Sequence, residues 1–211
     1  VIKLEEFSVT AGQTSGYRAT NSITATGIGA RIADIPIPIT VVTGELLQDV
    51  KADALSEGLQ YVPGLGTSPR NESTFLVRGF SGLISYRNGQ YRRQLFTTYN
   101  VDRVIFFGTV RPGGVINYVT AKPKFEATTT DLTMTLGQDN YYRFEIIHNR
   151  PLSKTLAARA VVNVLDAAGD QQYEFRRDYY LDFSLIWKPR ANQTLVLDVE
   201  GIERSRFYLS S

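Results

Sequence analysis

Residues 101–123 read VDRVIFFGTVRPGGVINYVTAKP. Two short runs rich in β-branched and aromatic residues, Val101 to Phe107 and Val115 to Thr120, flank Pro112-Gly113-Gly114, the pattern of two strands parted by a turn. Gly113-Gly114 permits close backbone approach ahead of a strand that is expected to be buried, and Asn117, polar in that strand, is expected to hydrogen-bond inside the fold. Behind Lys122-Pro123 the hydrophobic period changes, which puts a domain boundary between Lys122 and Glu126.

Upstream the chain reads as mixed α and β. Ile37 to Val42 is apolar and β-branched with Pro36 and Pro38 at its start, which suits an edge strand. Thr43 can cap a helical turn containing Glu45, and Asp53 can cap a second run with Leu55 and Leu59 on one face, stopped by Pro63-Gly64. Thr74 to Val77 and Leu83 to Arg87 are further strand candidates, and Asn88-Gly89 supplies the φ > 0 residues of a tight turn.

Downstream the pattern alternates strictly. Leu132, Met134 and Leu136 interleave with Thr133 and Thr135; Tyr179, Leu181, Phe183, Leu185 and Trp187 interleave with Tyr180, Asp182 and Ser184. Five amphipathic strands are expected: Thr128 to Gly137, Tyr141 to Asn149, Thr155 to Leu165, Arg177 to Lys188, and Thr194 to Arg204. Each is near the roughly 9–11 residues that a tilted membrane-spanning strand needs. Gly137 to Asn140 and Asp166 to Arg176 are then expected to be loops at one end of the strands, and Arg150 to Lys154 and Pro189 to Gln193 turns at the other. Trp187, Tyr141, Tyr142, Tyr179 and Tyr180 fall near strand ends, where an aromatic girdle belongs.

Composition narrows the functions. The 211 residues, 43% of them hydrophobic, suffice for one large or two small domains, and there is no cysteine, hence no disulfide, thiolate metal site or cysteine nucleophile. The net charge of +2 divides into +3 over residues 1–126 (13 basic against 10 acidic) and −1 over residues 127–211 (10 against 11), so neither half is a nucleic-acid surface. His148, the one histidine, lacks partners for a metal site or a Ser-His-Asp arrangement and reads as a polar residue at a strand end. Gly27-x-Gly29 and Gly64-x-Gly66 lack a dinucleotide-site context, and Asp166-Ala167-Ala168-Gly169-Asp170 lacks the spacing and closing Glu of a calcium loop. No enzyme, cofactor or metal is expected. No run approaches the roughly 18 apolar residues of a spanning helix, and the start, Val1-Ile2-Lys3-Leu4-Glu5-Glu6, is no signal peptide, so the chain is expected to begin after processing.

Taken in order, Phe75-Leu76-Val77-Arg78-Gly79-Phe80, Arg87-Asn88-Gly89 and Val101 to Pro123 resemble the plug domain of TonB-dependent outer-membrane receptors. The resemblance implies an α+β plug domain followed by antiparallel transmembrane β-strands, the N-terminal part of a large, incomplete β-barrel. Its divisions are an extended segment at 1–12, a plug at 13–124 and about the first five barrel strands at 125–211. Arg31, Arg78, Gly79, Phe80 and Asn88 match the plug pattern in scaffold roles, as do Gly89, Arg103, Gly113, Gly114 and Asn117. The extended start resembles a TonB box, with Val1, Ile2, Lys3 and Leu4 as the residues that would bind TonB by strand addition.

By the same resemblance the protein sits in the bacterial outer membrane, with lipid, TonB and its inner-membrane energising complex as partners. It would import a scarce small-molecule or oligosaccharide ligand: a siderophore-metal chelate, cobalamin or an oligosaccharide. The plug segments expected to point outward are Leu65 to Ser73, Ser81 to Ile84 and Tyr91 to Tyr99; in the last, Tyr91, Arg92, Arg93, Phe96 and Tyr99 combine cations with rings suited to an anionic chelate or a stacked sugar.

Barrels of this class close with roughly 22 strands, so five strands ending at Leu209-Ser210-Ser211 without a terminal aromatic are expected to be an N-terminal fragment. Only Gly108 to Arg111 separates the strand at Val101 to Phe107 from Pro112-Gly113-Gly114, shorter than is usual in the family. Two rivals are a secreted or surface β-rich ligand- or carbohydrate-binding protein, which would need a second apolar layer over Leu132, Phe183 and Trp187, and a receptor-derived signalling protein that does not transport.

Overall fold

The structure, a computed structural model, describes residues 39–50, 52–53, 64–68, 71–77, 80, 84–92, 97–107, 114–138, 140–169, 174–190 and 192–207. The chain divides into two compact units, Val1–Ala121 and Lys122–Ser211.

In the first unit Thr43 ends β1 (Ile39–Thr43) in an extended conformation and accepts a hydrogen bond on its Oγ1 from the Leu46 N–H at 3.3 Å, which caps helix α1 (Gly44–Asp49) with Glu45 in its first turn. Position 44 has to be glycine, because any Cβ there would overlap the Val101 carbonyl oxygen at the start of β6 (Val101–Phe107). The hairpin of β2 (Leu65–Ser68) and β3 (Asn71–Val77) forms a two-stranded sheet of its own. Within the segment expected to point outward, Leu65-Gly66-Thr67-Ser68 shows no apolar alternation and is held by its register with β3, Leu65 opposite Val77 and Gly66 opposite Leu76.

The main sheet adds β4 (Ile84–Arg87), β5 (Gln90–Tyr91) and β7 (Val115–Thr120) in the order β1-β6-β7-β4-β5. Only β4 and β7 pair in parallel. β7, the central strand, is buried at all six residues, and β1 is the edge strand that its flanking prolines imply. Val42, Leu47, Val104, Phe106, Ile116 and Tyr118 form the core, with Leu46 and Val50 packed against it. The helix expected after Asp53, with Leu55 and Leu59, and the interval Gly108 to Arg111 lie outside the described residues.

The second unit is an antiparallel meander, β8 (Thr129–Leu136), β9 (Tyr142–Pro151), β10 (Leu156–Ala168), β11 (Phe175–Arg190) and β12 (Gln193–Phe207), each hydrogen-bonded to the next. The alternation separates two faces. Leu132, Met134, Leu136, Tyr179, Leu181, Phe183, Trp187 and Leu197 are exposed on one; Glu145, Asn149, Asn163, Asp178, Asp182 and Ser184 are buried on the other. A sheet with large apolar residues exposed on one face, and charged and amide residues buried among Ile147, Val161, Leu165 and Ile186 on the other, inverts a soluble protein's pattern and matches a barrel wall in lipid. Tyr180 leaves the expected girdle: adjacent to Tyr179 on a strand, it points the opposite way and is buried among the polar residues. No described helix is long and apolar enough to cross a membrane.

Candidate functional site

The plug hairpin β4–β5 turns at Asn88 and Gly89, whose φ angles of 49° and 80° are both left-handed, the geometry that Asn-Gly adopts at low cost. Hydrogen bonds of Asn88 and Gly89 tie this turn to β7. The Asn88 N–H donates to the Tyr118 carbonyl (2.8 Å), the Thr120 N–H to Asn88 Oδ1 (3.0 Å), Asn88 Nδ2 to Thr120 Oγ1 (2.9 Å) and the Gly89 N–H to Asn117 Oδ1 (3.1 Å). Asn117 is thus the inward hydrogen-bonding residue that its position in an apolar strand implies, and its function is to fix the turn. Next to it burial pushes the Tyr118 hydroxyl far above the usual phenol range, with the Arg87 charge partly opposing the rise.

Beyond this turn the chain presents Tyr91 and Arg92, both exposed; the Tyr91 ring stands edge-on to Tyr86 (6.3 Å between centroids) and the Arg92 N–H donates to the Ser85 carbonyl at 2.9 Å. An exposed ring and an exposed guanidinium are side-chain types that suit planar or anionic ligands. Of the five residues expected to meet ligand, these two are exposed. Tyr99 is only 1% exposed and packs inside the plug unit, so its ring is not on offer; Arg93 and Phe96 lie outside the described residues.

Among the other plug-pattern residues, Phe80 is exposed, Gly114 takes φ 72° as only glycine does readily, and Arg103 pairs with its neighbour Asp102 at 3.1 Å. Arg31, Arg78, Gly79, Gly113 and the segment Val1, Ile2, Lys3 and Leu4 lie outside the described residues.

The buried face of the second unit holds charged networks that sequence reading passed over. Asp178, with no exposed surface, receives Arg176 (Nη2 to Oδ2, 2.9 Å) and Arg204 (Nε to Oδ1, 2.9 Å) from the same and the next strand. Arg143 and Asn163 both donate to Glu145 Oε2, at 2.8 and 2.9 Å. Ser184 donates to Asp182 and Asp198, and Tyr180 to Glu200. Buried charges require such partners. The signal was the alternate-residue set Asp178, Tyr180, Asp182 and Ser184, legible as a polar face though not as pairs, because the partners come from neighbouring strands. His148 sits on the opposite face against Thr130 Oγ1 (2.8 Å), and no metal-holding cluster of His, Cys, Asp or Glu occurs among the described residues.

Comparison with known proteins bears on this architecture directly. Residues 31–107 match the TonB-dependent receptor plug domain family. The chain is 26% identical to the metal-pseudopaline receptor CntO of Pseudomonas aeruginosa over 240 aligned positions, covering 98% of this chain and 32% of that protein. It is 24% identical to the ferrioxamine receptor of Yersinia enterocolitica, covering 87% and 29%. The fold matches the pyoverdine outer-membrane receptor FpvA of P. aeruginosa PAO1 (TM-score 0.83, 19% identity, 92% of this chain, 31% of that one) and the ferric-catecholate import receptor Fiu of Escherichia coli K12 (TM-score 0.80, 19%, 89% and 30%). The chain spans about a third of the length of the curated relatives it matches. With residues 31–107 matching the plug domain, and strands with an exposed apolar side following it, the chain is similar along most of its length to TonB-dependent outer-membrane receptors.

Proposed function

We propose that this chain is the plug and first barrel strands of an importer that captures a siderophore-metal chelate at the cell surface and, driven by TonB, remodels its plug to pass the cargo to the periplasm. In this reading residues 1–12 form the extended coupling segment, 13–124 the plug and 125–211 the barrel wall. The observation that carries it is the succession in one chain of a plug sheet and a sheet with its polar face buried and its apolar face exposed. A secreted carbohydrate-binding sheet would need to cover Leu132, Phe183 and Trp187, which are exposed. Chelate cargo is favoured over cobalamin or an oligosaccharide by the named ligands of the relatives, metal-pseudopaline and ferrioxamine. The test is deletion of Val1 to Leu4 from the full-length receptor, assayed with radioiron-loaded ferrioxamine and metal-loaded pseudopaline. Surface binding should persist while uptake falls to background; unchanged uptake would place coupling elsewhere.

A further inference from the structure

Residues 122–127 are short, irregular and held at both ends by the second unit's own strands. Asn149 on β9, 1% exposed, engages three backbone groups: its Oδ1 accepts from the Lys124 N–H (2.7 Å), and its Nδ2 donates to the carbonyls of Lys124 (3.1 Å) and Ala127 (2.8 Å). One side-chain amide thereby bonds both the N–H and the C=O of Lys124, as a neighbouring strand would. Lys122 pairs with Asp198 on β12 at 3.0 Å, Pro123 between them is buried, and the Lys188 ammonium on β11 lies 4.7 Å from the centre of the Phe125 ring.

The register shows what these contacts have in common. Asn149 pairs with Arg159, Arg159 with Ser184 and Ser184 with Asp198, so the two anchor residues stand in one row across four strands on the buried face. Three strand steps of about 4.8 Å separate the ends of that row. Asn149 at one end of the row and Asp198 Oδ2 at the other each bond the segment, at Lys124 and Lys122.

We infer that residues 122–127 are a mooring strap, with Asn149 as its positioning residue, that keeps the plug's C-terminal end on the barrel wall while the plug opens. The inference rests on the barrel reading of 129–207 but needs neither a ligand nor TonB, so it stands or falls separately from the transport reading.

The test is amide hydrogen exchange on the full-length receptor in lipid vesicles, in urea sufficient to open the plug sheet but not the barrel. The Lys124 amide should exchange at least tenfold more slowly than the amides of β6 and β7. Asn149→Ala should bring it to the plug's rate with β10 and β11 unchanged, and Lys122→Ala, which leaves the barrel strands untouched, should accelerate it too. Exchange of Lys124 together with β6 and β7 in the unaltered protein, or protection that survives both substitutions, would overturn the inference.

Discussion

Tyr118 shows how a single side chain sets a condition on the plug. Its hydroxyl is fully buried, so the folded state holds it neutral well above the pH at which the unfolded chain ionises it, near the usual 10.0. The stability that follows is complete below that pH and drains away above it, by about 1.4 kcal/mol per pH unit, because only the unfolded state releases the proton there. Tyr118→Phe removes the titrating group. Denaturant unfolding of the plug at about pH 8 and about pH 11 should therefore show the unaltered protein losing about 1.4 kcal/mol more than the variant; equal losses would mean that Tyr118 is not the group responsible. Residues of this kind are half legible in the sequence. Asn117 could be read as an inward hydrogen-bonder because it is the polar residue in an apolar strand, whereas Gly44 could not, since its need for no Cβ arises from the Val101 carbonyl, nearly 60 positions away in sequence.

Elements were legible where period or turn chemistry was strong. The β11 alternation from Tyr179 to Trp187 and the turn residues Asn88-Gly89 fix strand and hairpin from local sequence alone, and β6 and β7 run over the residues their apolar patterns mark. β2 was not legible, because Leu65-Gly66-Thr67-Ser68 carries no pattern and exists by pairing with β3. Ligand exposure was not legible either: Tyr91 and Tyr99 are equivalent as letters, yet the hairpin presents the first and the core takes the second. For β11 the face assignment can be tested in energies. Phe183 lies midway along the strand on the exposed apolar side, and Asp182 is buried, accepting from Ser184 Oγ at 3.0 Å. Phe183→Arg should cost about 2–4 kcal/mol of folding free energy in vesicles, whereas Asp182→Asn, which keeps an acceptor for Ser184, should cost about 1 kcal/mol. Equal costs would show that Phe183 does not face lipid.

At the scale of the whole molecule, the proposed function assigns the two units different parts, the first a sheet to be reshaped and the second a wall that stays. The plug sheet has small, locally knitted pieces, the β4–β5 hairpin fastened to β7 and the edge strand β1 beside β6, while the wall runs unbroken through five strands in simple meander. The most direct measurement is accumulation of radioiron-loaded ferrioxamine and metal-loaded pseudopaline by cells that carry the full-length receptor as their sole chelate receptor, with TonB present, with TonB deleted, and with the proton-motive force collapsed. Binding at the cell surface should be the same in all three, and accumulation should occur only in the first. Accumulation that persists without TonB or without the proton-motive force would contradict the account.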